Sequence, residues 1–225
     1  MSWDKYYTQN LWLWLRLNEG VGTLTHDKSI QRITPFTLHG TPVWTQLASG
    51  IMVLDFNSAT PDWLDCPALT TAQLDFTAGD FSMGMWAKID DAVTRSLLTR
   101  GLANTDGWLL QVNNAGRVGF ATCQAGATQT TFSTICIAAG TWYFIGVSRT
   151  GASVGTFVNG EDVTDAPDTH VNPLTSNREV HVGVLDDETS DPWDGQMWNV
   201  RIWGRCLEPW EWLELFNMER HWVNV

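Results

Sequence analysis

Positive charge is scarce in this chain: 13 Lys+Arg stand against 25 Asp+Glu in 225 residues, a formal net charge of −12. With no basic stripe to interrupt that balance, neither a nucleic-acid backbone nor an anionic membrane surface suits it as main partner. Long apolar runs are missing too. The run nearest the N-terminus, Leu11 to Leu17, contains Arg16 and is too short and too polar for an export signal or a membrane span. The expectation is synthesis in the cytoplasm without a signal peptide, with later incorporation into a virion or other extracellular particle left open. Cysteine is sparse and scattered: Cys66, Cys123, Cys136 and Cys206 form no C-x-x-C and no ligand spacing with histidine. Free thiols are expected, and no zinc. The five histidines, His26, His39, His170, His181 and His221, show no metal-like pairing either. There is no G-x-S-x-G, P-loop or H-E-x-x-H.

Tryptophan is abundant, 14 residues against only 3 tyrosines, and 44% of the chain is hydrophobic with 17% charged. A chain of this composition and length folds, and one domain spanning 1–225 is expected. Its core would run from about 11 to 216, with an N-terminal arm 1–10 and a C-terminal tail 217–225. Alternation dominates. Leu11-Trp12-Leu13-Trp14-Leu15-Arg16-Leu17 puts four leucines on one face and two tryptophans with Arg16 on the other, a strand covered on both sides. Strands are likewise expected at 51–56, 81–89, 95–100, 108–113, 117–123, 129–133, 141–150, 153–158, 179–184 and 196–203. Asn159-Gly160 between Phe157 and Val163 is a hairpin signal, because both residues tolerate positive φ. Many short strands joined by tight turns give an all-β fold, a two-sheet antiparallel sandwich or jelly roll. Two segments depart from this. Residues 207–221 take a helical period, with Pro209 near the start and Trp212, Leu215 and Phe216 on one face. The stretch from about 165 to 177 is irregular and is expected to fold over one sheet.

The order of several motifs resembles that of laminin-G-like, concanavalin A-like lectin/glucanase domains. The motifs are LWLRLNEGVG (13–22), LDFNSATPDWLDCP (54–67), FSMGMWAK (81–88), TWYFIGVSR (141–149), FVNG (157–160), VHVGVLDD (180–187) and DGQMWNVRIWGR (194–205), followed by a closing helix. The resemblance implies a curved jelly roll with one short C-terminal helix, often a binding module. It also implies a structural calcium between a loop aspartate, matched here by Asp27, and an aspartate at the start of the last long strand. There the chain departs: where the family usually has I-D-E-V-R-I, it has Met197-Trp198-Asn199-Val200-Arg201-Ile202, and an indole cannot ligate calcium. The resemblance places Trp86, Trp142 and Trp203 in the core, with Trp44 and Trp108 beside them, and Trp198 as a local extension of it.

Glucanases of this fold carry E-x-D-x-x-E on one strand, and no such string occurs. Glu161, Asp162 and Asp165 come nearest, on an exposed hairpin. The reading is therefore not an enzyme, with no cofactor unless calcium. Asp186, Asp187, Glu188, Asp191 and Asp194 crowd one loop, either a divalent-cation site that could include the four aspartates or a solvated acidic loop. Trp3, Trp63, Trp193, Trp210 and Trp222 fall at termini, loop tips or the helix, and Leu213 joins Trp210 away from the helix's buried face. Trp63, Trp193, Trp210, Leu213 and Trp222 are thus candidate contacts to a glycan or a partner protein. Two functions stand. One is a structural or display component of a larger assembly, concretely a phage virion decoration or tail-associated protein that binds other protein subunits and possibly glycans. The other is a free-standing carbohydrate-binding lectin module.

Overall fold

The computed structural model describes residues 7–91 and 93–224. The expected arm therefore lies outside the described residues up to position 6, Trp3 included. The alternating segments pair into two sheets. The first contains β1 (Leu11–Leu15), β4 (Val43–Gln46), β5 (Met52–Phe56), β7 (Phe81–Ile89), β12 (Trp142–Thr150), β13 (Ser153–Val158), β14 (Glu161–Asp162) and β16 (Gly195–Trp203), ordered β14-β13-β12-β7-β16-β5-β4. Both β1 and β5 pair with the same side of β16, β5 near its start and β1 near its end. The second sheet contains β2 (Leu24–Thr25), β3 (Phe36–His39), β6 (Trp63–Cys66), β8 (Arg95–Leu102), β9 (Asp106–Val112), β10 (Arg117–Gln124), β11 (Ala127–Cys136) and β15 (Val180–Val182), ordered β11-β10-β9-β8-β15-β6-β3-β2. Every strand ladder among the described residues is antiparallel. The two inner faces meet over Leu13, Phe36, Leu64, Phe81, Leu98, Trp108, Phe120, Val147, Trp193 and Ile202. This is the expected sandwich.

Asn159 and Gly160 both take positive φ, +53° and +82°, and join β13 to β14 as the two-residue turn the sequence signals. Two details correct the expectation. The β1 register shifts between Leu11 and Leu13, so Leu11 packs in the outer layer while Leu13, Leu15 and Leu17 stay between the sheets. An extra residue in a strand turns its neighbours to the opposite face. Trp12 accordingly stacks on Phe76 at 5.5 Å. Trp193, expected as an exposed contact, is fully buried between the sheets and presents no face to a ligand.

The outer face of the first sheet carries a second apolar layer of Trp86, Phe144, Phe157, Trp198 and Trp203 under the helix α1 (Pro209–Glu219). Pro209 opens α1, and the Glu208 N–H donates to Glu211 Oε2 at 2.9 Å. Trp212, Leu215 and Phe216 face inward as the periodicity predicts. Trp212 lies flat over Gly84 and Gly146, cross-strand partners on β7 and β12, where a Cβ on either would come 2.6 Å from its ring. The Trp212 indole donates to Ser148 Oγ at 3.0 Å. At the opposite edge, the irregular 165–177 stretch tucks His170 between Thr122 and Thr131, each hydroxyl 2.9 Å from a ring nitrogen. Buried Arg149 donates to Phe76 O and Asn172 Oδ1, and buried Arg100 ties Asp75 and Thr71 to Ser176 O. All four cysteines are free, Cys66 and Cys123 being buried. No helix among the described residues is long and apolar enough to cross a membrane.

Candidate functional site

The site starts from an irregularity in β16. Trp198 pairs with Trp86 and Arg201 with Gly84, so three steps on β16 oppose two on β7. Asn199 absorbs the extra residue at φ +62°, a backbone conformation asparagine tolerates better than most side chains. Through this bulge Trp198 and Asn199 both belong to the outer side, while Val200 returns to the inter-sheet core. Bulges commonly re-aim side chains beside functional sites.

Asn199 then organises its neighbours. Its Oδ1 accepts the Trp14 indole N–H at 2.5 Å, and its Nδ2 donates to Glu219 Oε1 at 2.8 Å. Glu219, on the last turn of α1, also accepts from the Arg201 guanidinium and from Trp86 Nε1 at 2.9 Å. Arg201 and Arg16 both lie over the Trp14 ring, 5.8 and 5.4 Å from its centroid. First strand, last strand and closing helix are thus joined by one polar network with an aromatic plate at its centre.

Around it opens a cavity of about 420 Å³, lined by Trp14, Arg16, Asn18, Gly50, Ile51, Met52, Trp198, Asn199, Glu219 and Trp222. This is the size and composition of a small-molecule cleft: apolar and aromatic walls with a few polar groups. Ser49 Oγ donates to the Trp222 carbonyl at 2.5 Å and holds the C-terminal wall, leaving the Trp222 ring 40% exposed. Beyond Trp14 and Glu219, a smaller hollow of about 150 Å³ continues past Tyr7, Leu11, Arg201, Leu215 and Met218. Burial and the Glu214 carboxylate push the Tyr7 phenol well above its ordinary range, so it stays protonated. Among the described residues, Glu219 is the sole carboxylate on either lining.

Of the sequence-nominated contacts, Trp222 lines this cavity. Trp210 and Leu213 project from the opposite face of α1, 55% and 45% exposed. Trp63 lies on the second sheet, stacked on His39 at 4.9 Å. Trp14, Asn18, Trp198, Asn199 and Glu219 were not nominated. The signal for them was the Trp198-Asn199 pair standing where acidic residues are usual, with Trp14 and Arg16 alternating on the strand beside it.

No three of the carboxylates expected for calcium bring their oxygens within 4.8 Å of one another. Asp27 is buried, and its two oxygens accept from Trp14 N, Ser29 N, Ser29 Oγ and Ile33 N, at 2.7–2.9 Å. It braces the loop after β1. Asp186 pairs with Arg178, and Asp194 lies 3.8 Å from Arg95. Burial pushes the Asp187 carboxyl up, but the hydrogen bonds it accepts from Ser190 and Thr189 outweigh this and hold it below the usual range. Burial raises Asp191, whose carboxylate lies 3.4 Å from Gln111 Nε2.

Comparison with known proteins agrees with the fold. The family model described as the concanavalin A-like lectin/glucanases superfamily matches residues 66–211. A search of curated proteins returned no match. Among solved structures, the binding domain of paraclostridial mosquitocidal protein 1 is similar with a TM-score of 0.70 at 13% identity, over 93% of this chain and 52% of that one. The binding domain of botulinum neurotoxin DC in complex with rat synaptotagmin II gives 0.67 at 13%, over 93% and 51%. Botulinum neurotoxin type C, whose cell entry is dependent upon interaction with two ganglioside molecules, gives 0.66 at 14%, over 93% and 51%. The chain spans about half the length of these structures, and the likeness establishes the fold.

Proposed function

Because the chain belongs to the concanavalin A-like lectin/glucanases superfamily, we propose that it is a non-catalytic recognition module that binds a carbohydrate in the cavity between Trp14, Trp198 and Trp222. The cavity carries this reading. The Trp222 ring, 40% exposed, offers a flat face that suits the apolar side of a pyranose ring, and Arg16 and Asn18 line the same cavity with polar groups for its hydroxyls. The similar botulinum neurotoxin structures, one a binding domain in complex with rat synaptotagmin II and one of a toxin whose cell entry is dependent upon interaction with two ganglioside molecules, support a binding role. A non-enzymatic reading is supported by the lining. Glycoside hydrolysis uses two carboxyl groups about 5 to 9.5 Å apart, and among the described residues Glu219 is alone there and already holds Arg201, Asn199 and Trp86.

The test is a broad glycan array followed by titration of the intrinsic tryptophan fluorescence. Trp222→Ala is expected to weaken binding about tenfold or more, as loss of a central aromatic contact does. Retention of no glycan, or unchanged affinity in Trp222→Ala, overturns the reading.

A second reading is a subunit of a larger assembly, a virion decoration or tail-associated protein being the concrete case. The observation favouring partner contact is the exposed Trp210 and Leu213 pair on the outer face of α1.

A further inference from the structure

His181 lies on β15 in the second sheet, remote in the fold from the cavity above, and pairs in register with Asp65 on β6 and Thr99 on β8. Its side chain is only 3% exposed, and neither ring nitrogen has a hydrogen-bond partner. A buried polar group left in that state is costly and calls for an explanation. The explanation sits in front of its Nε2. Glu179 Oε2 is 3.9 Å away and Glu188 Oε1 is 4.0 Å away. Both distances are too long for hydrogen bonds. Yet the three ligand atoms lie within 4.8 Å of one another, the one such convergence of His, Cys, Asp or Glu among the described residues.

We infer that Glu179, His181 and Glu188 form a binding site for a divalent transition-metal ion of the zinc type. An ion at the centre, with metal–nitrogen and metal–oxygen bonds of about 2.0–2.2 Å, puts tetrahedral ligand atoms roughly 3.3–3.5 Å apart. Each glutamate needs to close on the histidine nitrogen by only about half an ångström. Both can, since Glu179 and Glu188 are 43% and 48% exposed at the side chain while the histidine is fixed. Glu188 is carried on a turn whose N–H donates to Leu185 O at 3.0 Å. The donor set selects the ion: an imidazole nitrogen with two carboxylates suits zinc and its neighbours, whereas calcium takes oxygen. Two carboxylates and a neutral ring carry a net charge of −2, which balances the dication, and Asp65 and Asp186 lie nearby. Exposure of Glu188 leaves the fourth position to water. Sequence spacing hid the site, because its ligands come from a Glu-x-His that starts one residue before β15 and a glutamate in the following turn.

The experiment titrates metal-stripped, untagged protein with ZnCl2 by calorimetry, in a non-coordinating buffer, with Co2+ as a spectroscopic probe. One Zn2+ per chain is expected, with a higher Tm, and a Co2+ spectrum without a thiolate charge-transfer band. Glu188→Gln should weaken Zn2+ binding at least tenfold without changing the metal-free Tm, and His181→Gln should abolish it. The site is overturned by absence of stoichiometric Zn2+ binding or by wild-type affinity in Glu188→Gln. A Co2+–thiolate band, or tighter binding of CaCl2 than of ZnCl2, overturns it equally. Glu188 is exposed, so its variant reports on the site even where His181→Gln fails to fold.

Discussion

Asn199 and His170 show how much a single residue can fix. Asn199 supplies the positive φ that the β16 bulge needs, and with the same side chain it joins Trp14 to Glu219. His170 is enclosed by Thr122, Thr131 and the Phe120 ring, with Arg149 and Asp168 the charged groups near it. Burial, and then repulsion from Arg149, lowers its pKa from 6.5 to about 4. The folded state therefore holds this ring neutral where the unfolded chain protonates it. Its stabilisation is complete above about pH 6.5 and is lost as pH falls through about 4, an effect of about 3 kcal/mol. Urea unfolding at several pH values should show that fall, with a shallower slope in His170→Gln, whose amide can still meet both threonines. His181, depressed in the same direction by burial, contributes to the slope that remains. Equal slopes in wild type and variant would refute the assignment. At this scale the sequence was least legible. Trp198 could be placed in an apolar layer from its motif, but alternation alone does not reveal a bulge, so the turning of Asn199 toward Trp14 stayed hidden. Trp193 misled for a related reason: flanked by Pro192 and Asp194 it looks like a loop tip, yet its N–H bonds Gly183 O at 2.7 Å and draws the ring inside.

Among the elements, α1 and the two strands beneath it are the most closely fitted. Trp212 meets a flat bed only because Gly84 and Gly146 lack side chains at paired positions. Gly146→Ala is expected to destabilise by about 1–3 kcal/mol, the usual penalty for overfilling a packed layer. Ala at 146 paired with Trp212→Leu should recover part of the loss. Chemical denaturation of the single and double variants measures this, and full additivity of the two losses would contradict the contact. Long strands such as β7, β12 and β16 were legible because nine residues of apolar pattern leave little choice. The short ones, β3, β4 and β6, were not, since four residues beside Gly40, Pro42 or Pro67 look like loop. Their pairing comes from neighbours distant in sequence: Leu38 on Leu64, Trp44 on Leu54. The helix was read almost whole, its buried and exposed faces both following from the 3.6-residue period.

As a whole the molecule offers three separate surfaces: the indole-lined cavity beside α1, the outer face of α1, and the histidine-glutamate cluster of the second sheet. The fold that presents them was legible in the order of the motifs. The cavity was not, because its walls come from positions 14, 51, 198 and 222, which only the closed sandwich brings together. The assembly reading belongs to this scale. If Trp210 and Leu213 form a contact between copies, light scattering should show association that strengthens with salt, as the net charge of −12 is screened. Trp210→Ser should abolish it while leaving the unfolding midpoint nearly unchanged. A monomer at all concentrations and salt levels would discard self-assembly. Finally, β16 lies between β7 on one side and β1 and β5 on the other, yet it is the last strand among the described residues. During translation the parts of the first sheet, β14-β13-β12-β7, β5-β4 and β1, therefore stay unjoined, with unpaired edges, until residues 195–203 have left the ribosome. Such edges invite association between nascent chains, which makes the interval before β16 emerges the period of greatest need for a chaperone.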